Sequence, residues 1–135
     1  MMPATKVEQL PIRSDADVVQ VRHVVRALCA QQGFSLVDQT KMVTAASELA
    51  RNALQHGGGG FMLTELVEQG LRRGLKLVFQ DEGPGIGDLT LAMKDGYSTG
   101  GGLGLGLPGS KRLVNEFDLV SEPGKGTRVT VVRWK

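Results

Sequence analysis

The chain is poor in several things that define whole classes of protein. It has one cysteine, Cys29, in 135 residues, which excludes an internal disulfide and a thiolate zinc cluster. Aromatic residues make up only 4%, too few to stack successive bases. The formal net charge of +2 likewise leaves no electrostatic footprint for nucleic acid. No apolar run approaches the roughly 18 residues of a membrane span. The opening Met1-Met2-Pro3-Ala4-Thr5-Lys6 lacks the apolar core of a signal peptide, so a cytoplasmic protein is expected. The length suits one domain over 1–135 with a core of its own.

What the chain has in excess is glycine, and its 19 glycines are clustered. One run is Gly57 to Gly60, a second holds Gly83, Gly85 and Gly87, and a third extends from Gly100 to Gly109. Each cluster falls between strongly patterned segments, which points to close backbone approach rather than to low-complexity chain.

Patterning and punctuation predict a strand over 7–12, then a helix capped by Ser14 or Asp15 that runs to about Gln32. Val18, Val21, Val25 and Leu28 form its apolar face, and Gly33 ends it. A second helix starts at Ser35 or Asp38 and runs to about His56, where the four glycines stop it. Strands follow over 60–68 and 75–80, joined by a turn around 70–74. A short helix over 88–94 and a helix over 107–117 with Pro108 in its first turn come next. A hairpin of strands over 119–121 and 126–134 closes the chain. Short connections make the sheet mostly antiparallel with its helices on one face, an α+β, two-layer sandwich.

Three motifs carry chemistry. In the second helix, Glu48, Asn52 and His56 recur every four residues and share a stripe, roughly opposite Val43, Ala46, Ala50, Ala53 and Leu54. That stripe is either the solvated face of an amphipathic helix or a site. Geometry weakens a zinc site, since eight residues separate Glu48 and His56 by about 12 Å along the axis, too far for both to ligate one ion. A hard cation held by one side-chain oxygen, water and substrate phosphates is feasible, and Asn52 suits it. Glu48, one turn away, is placed to accept a proton from a hydroxyl, while His56 closes the helix near its negative end.

The second motif, Gln80-Asp81-Glu82-Gly83-Pro84-Gly85-Ile86-Gly87, follows the apolar run Leu75 to Phe79. A carboxylate at the end of a buried strand needs a donor, and the exocyclic amine of adenine is one. The alternative is a plain turn, since Asp, Gly and Pro are all turn formers. The third motif runs from Tyr97 through Gly100-Gly101-Gly102-Leu103-Gly104-Leu105-Gly106 to Lys111. Gly104 to Gly109 matches G-x-G-x-x-G, but no strand precedes it, so the dinucleotide-binding fold fails. The order Ser110-Lys111 is reversed relative to a P-loop, which breaks that geometry too. What survives is an array of backbone N–H groups feeding a helix, suited to anions and able to act as a lid.

In this order the three motifs resemble the N, G1 and G2 boxes of the ATPase family of gyrase, Hsp90, histidine kinases and MutL, the Bergerat fold. The likeness covers about Val7 to Trp134. Ser47-Glu48-Leu49-Ala50-Arg51-Asn52, Asp95 to Thr99 and Gly101 to Leu113 are most similar to the RsbT-type serine-protein kinases, relatives of RsbW-type anti-sigma factors. The glycines at 101 to 102 and Pro108 depart from a histidine-kinase G2 box.

The resemblance implies ATP and Mg2+ as cofactors, with Glu48 as general base and Asn52 as the protein ligand of Mg2+. It implies that Asp81 holds the adenine amine beside Gly83, Gly85 and Ile86. Gly100, Gly101, Gly102, Leu103, Gly104, Leu105 and Gly106 would wrap the phosphates, and Thr127 would lie near the adenine. The implied substrate is a serine on a STAS-domain antagonist, with a PP2C-type phosphatase as a further partner. An ATP-holding anti-sigma module that sequesters without catalysis is the alternative. A gyrase-like transducer does not fit in this length, and no phosphoacceptor helix pair precedes the domain.

Overall fold

The computed structural model describes residues 7–81, 83, 106–122 and 124–135. Its elements run β1 (Val7–Ile12), α1 (Asp15–Gln31), α2 (Leu36–Gln55), β2 (Gly60–Gln69), β3 (Arg72–Asp81), α3 (Gly106–Arg112), β4 (Glu116–Glu122) and β5 (Gly126–Trp134). The five strands form one sheet in the order β1-β2-β3-β5-β4, and each described pairing is antiparallel.

Local chemistry sets the helix limits. Ser14 caps α1 by accepting a hydrogen bond from the Asp17 N–H, and Ser35 caps α2 by accepting one from the Asp38 N–H. Gly33, at φ 81°, turns the chain out of α1 in a conformation that side chains with a Cβ avoid. Gln32 is buried beside it, and its amide donates to the Gly74 carbonyl at 2.7 Å, which fixes the turn between the helices to the start of β3.

Strand alternation sets the layers. The cross-strand partners Met62 and Phe79, and Leu77 and Val131, share the face that α1 and α2 cover. Val21, Val25, Met42, Ala46 and Leu49 meet them from the helices. Leu75 and Leu77 are fully buried, each contributing about 1.5–3 kcal/mol of apolar transfer energy. Cys29 joins this core, where burial pushes its thiol up to about 12, so it is chemically inert. α3 packs against α2.

Three boundaries differ from the sequence expectation. β3 starts at Arg72, so the turn shrinks to Gly70-Leu71. The helix expected over 107–117 ends at Arg112, and β4 starts at Glu116 rather than 119. The Asn115 N–H donates to Val132 O, starting the ladder there, and Phe117 then faces Val131. Pairing with β5 thus overrides a helical pattern that single-strand periodicity left ambiguous. The helix expected over 88–94 lies outside the described residues.

One ion pair joins the layers at the far end of α2. The Arg133 guanidinium donates to Asp38 Oδ1 at 2.6 Å and to Leu113 O at 2.8 Å. The hydrogen bond from Arg133 holds the Asp38 carboxyl below its ordinary value. A carboxyl depressed on folding stabilises the fold above its unfolded pKa of about 4, and that contribution disappears as pH falls through the lower folded value. Asp38→Asn is therefore expected to be less stable than wild type at neutral pH, with the difference shrinking below pH ~4. Urea denaturation of both proteins across that range checks this, and a pH-independent difference would contradict it.

Candidate functional site

α2 ends where β3 ends. Its last turn closes with the His56 N–H donating to Asn52 O and the Gly57 N–H to Ala53 O, which delivers Gly57 onto Asp81. A methyl group at Gly57 would overlap the Asp81 carboxyl carbon, and one at Gly83 would come within 2.5 Å of the Gly57 Cα. Two glycines therefore let backbone press against the carboxylate from α2 and from the chain after β3.

Asp81 is buried, at 8% exposure, and such a carboxylate needs donors. The Gly83 N–H donates to its Oδ1 at 3.0 Å and the Thr127 N–H at 3.2 Å. Both described bonds reach the same oxygen, which leaves Oδ2 with capacity to accept a further donor. Thr127 is oriented in turn through its hydroxyl, 2.9 Å from that of Ser121, the residue paired with it across β4 and β5.

Exposure along the stripe on α2 rises toward the helix end. Glu48 is 9% exposed, and Ser47 beside it is also buried. Arg51, one turn on, lies 3.7 Å from Glu48 Oε2 and is half exposed. Asn52 is half-buried, whereas His56 is exposed at the helix end. Glu48 and Asn52 are one turn apart, so they present a buried carboxylate and an amide on one side of α2.

Among the described residues no three His, Cys, Asp or Glu side chains converge as a metal cage. A single amide oxygen at Asn52 fits a hard cation that retains water and is shared with phosphate oxygens, the habit of Mg2+.

The structure thus brings together Asp81, Gly83 and Thr127, and places Glu48 and Asn52 on the helix that ends against them. Gly106 opens α3, where Pro108 is buried in the first turn and Ser110 is fully buried. Gly85, Ile86, Gly100, Gly101, Gly102, Leu103, Gly104 and Leu105 lie outside the described residues.

Gly57 was legible in the sequence only as a helix stop. Its packing role depends on where α2 ends relative to β3, a long-range fact. The signal was nevertheless present: four consecutive glycines exceed what one helix terminus needs.

A family model described as histidine kinase-, DNA gyrase B- and HSP90-like ATPase matches residues 37–135. The serine/threonine-protein kinase RsbT of Bacillus subtilis (strain 168) is 45% identical over 123 residues, covering 91% of this chain and 92% of its own. The anti-sigma F factor of Shouchella clausii (strain KSM-K16) is 33% identical over 119 residues, 82% of this chain and 79% of its own. In fold, the chain is similar to the RsbU and RsbW domains of Rv1364c from Mycobacterium tuberculosis. That match has a TM-score of 0.62 at 21% identity and covers 97% of this chain. The match spans 32% of that solved chain of two domains.

The contact at Gly57 yields a direct expectation. Alanine for glycine at an ordinary φ usually stabilises slightly, by about 0.4–1 kcal/mol. Here overlap with Asp81 is expected to reverse the sign, so that Gly57→Ala loses about 1–3 kcal/mol. Urea midpoints read this, and an unchanged or raised midpoint would contradict the packing.

Proposed function

The chain belongs to the histidine kinase-, DNA gyrase B- and HSP90-like ATPase family, and we propose that it is an RsbT-type kinase acting on a serine of a STAS-domain antagonist in a bacterial partner switch. Kinase activity and ATP use rest on the high identity to RsbT over nearly the whole chain. The observation that carries the site assignment is the burial of Glu48 one turn before Asn52, on the helix that terminates against Asp81.

In this reading Asp81 Oδ2 accepts a hydrogen bond from the adenine amine while Gly83 and Thr127 hold Oδ1. Gly83, Gly85 and Ile86 let the base approach, and the glycines and leucines from Gly100 to Gly106 enclose the phosphates. Asn52 would hold Mg2+ through its amide oxygen, and the ion's contribution is to neutralise charge on the phosphates. Glu48 takes the proton of the acceptor serine as the serine oxygen attacks the terminal phosphorus, the bond from that phosphorus to the β–γ bridging oxygen breaks, and ADP leaves. Phosphoryl transfer is mainly positioning and charge neutralisation, so one base and a cradle of N–H groups suffice.

Sequestration without catalysis is not favoured. A stoichiometric binder has no use for a buried carboxylate at the acceptor position, and the identity to the anti-sigma F factor is lower than to RsbT. In this proposal the catalytic unit is a single domain, and a cytoplasmic location follows from its part in a bacterial partner switch. Among the described residues no helix is long and apolar enough to cross a membrane. A PP2C-type phosphatase that responds to the released kinase completes the switch.

Incubation with Mg-ATP and a STAS-domain partner, read by intact mass, tests the chemistry. Wild type is expected to add one phosphoryl group, mapped to serine. Glu48→Ala is expected to slow the addition by about 10²-fold or more while retaining ATP affinity. A stable ATP-dependent complex with no phosphorylation would overturn the kinase reading. Asp81→Asn preserves the oxygen that accepts both N–H groups but presents a donor in place of Oδ2. It is therefore expected to weaken ATP binding by about tenfold or more with little change in melting temperature. Unaltered ATP affinity in calorimetry would remove the adenine role.

A further inference from the structure

Three polar side chains stand in a row across one end of the sheet. The paired register of β3 and β5 reaches Gln80 with Arg128, and Asp81 and Thr127 are the next residues on each strand. Ser121 of β4 is paired with Thr127 on its other side. Alternation puts all three on the face that the helices cover. Asp81 follows Phe79 by two, Thr127 precedes Val129 by two, and Ser121 follows Leu119 by two, and those three apolar residues belong to the core or pack against it. The row thus runs Asp81, Thr127, Ser121 from the middle of the sheet to its edge.

Hydroxyl protons fix the sense of this row. Ser121 Oγ lies 3.2 Å from the Gly126 carbonyl oxygen and 2.9 Å from Thr127 Oγ1. A carbonyl only accepts, so the Ser121 hydroxyl donates to Gly126 O, and each hydroxyl has one proton to give. The 2.9 Å contact is then made by the Thr127 hydroxyl donating to Ser121 Oγ. The opposite sense would leave Ser121 Oγ and Gly126 O facing each other with no proton between them. With its proton turned toward the sheet edge, Thr127 presents only lone pairs to a group bound at Asp81 Oδ2.

This arrangement selects by chemistry. Residues opposite each other on adjacent strands hold their Cβ atoms about 4.5–5.5 Å apart, so the Asp81 carboxylate and the Thr127 hydroxyl are neighbours, and both accept. A 6-amino purine brings two N–H donors to such a pair, directly or through one water. A 6-oxo purine brings an acceptor that meets neither. An unconstrained threonine hydroxyl could rotate to donate to that carbonyl, and the bond to Ser121 removes this option.

We infer that Ser121, which lies outside the three motifs of the sequence, is a positioning residue for nucleotide choice: by holding the Thr127 hydroxyl proton it keeps Thr127 an acceptor and excludes 6-oxo purines. The inference rests on the reading of Asp81 as the site of the purine 6-position. It does not involve Glu48 or Asn52.

Calorimetry with ATP and inosine triphosphate on the full chain, wild type and variants, tests it. Ser121→Ala frees the Thr127 proton and is expected to lower the ratio of ATP to inosine triphosphate affinity by about tenfold, through tighter binding of inosine triphosphate. Ser121→Thr keeps a hydroxyl and is expected to restore the wild-type ratio. Thr127→Val in the Ser121→Ala background removes the hydroxyl that donates and is expected to abolish the gain. Ser121→Cys is similar in volume and a weak acceptor, so it is expected to shift the ratio in the same direction even where alanine disrupts the β4–β5 hairpin. A merely structural Ser121 would weaken both nucleotides alike. That result, or an unchanged ratio in the alanine and cysteine variants, would overturn the inference. A wild type that binds the two nucleotides equally would instead overturn the adenine reading of Asp81, and the inference with it.

Discussion

A carboxylate buried at the end of a strand is costly unless donors reach it, and the meeting of Asp81 with Gly57, Gly83 and Thr127 is organised by that requirement. The donors are backbone N–H groups, whose positions are set by the sheet and the chain path rather than by rotamers. Close approach is possible because Gly57 and Gly83 carry no Cβ. The result is a carboxylate with one oxygen satisfied internally and the other left to accept from outside.

The same contact positions α2. At its C-terminal end the helix delivers Gly57 onto Asp81, and in its first turn Asp38 is bound by Arg133 of β5. Between these anchors the alanine-rich face of α2 lies close on the sheet, with Ala46, Ala50 and Ala53 buried. These two contacts set the axial position of the helix on the sheet. Glu48 and Asn52 consequently hold a defined place relative to Asp81, which the proposed proton transfer and cation binding require.

Much of this was legible in the sequence, for identifiable reasons. Ser14 and Ser35 are strong caps, Gly33 is a strong stop, and the alternation of β2 and β5 is regular, so these elements appear as expected. Asp81 was visible as a polar residue ending an apolar run, and Thr127 entered through family likeness. The pairing of Thr127 with Ser121 depends on the β4–β5 register, which no local pattern fixes. Whether Glu48 faced water was equally undetermined by periodicity; the surrounding fold buries it. The early start of β4 and the reach of Arg133 to Asp38 are likewise long-range consequences, set by strand pairing and by residues nearly a hundred positions apart.

In the proposed site Asp81 offers Oδ2, the oxygen that Gly83 and Thr127 do not engage, to the exocyclic amine of adenine. The most direct measurement compares ATP with inosine triphosphate on the wild-type protein by calorimetry. The two nucleotides share ribose, phosphates and charge and differ at the purine 6-position, where one presents an N–H2 donor and the other a carbonyl acceptor. ATP is expected to bind at least about a hundredfold more tightly, because the carbonyl would face a buried carboxylate without a hydrogen bond. Equal affinity for the two would contradict it and place the base elsewhere.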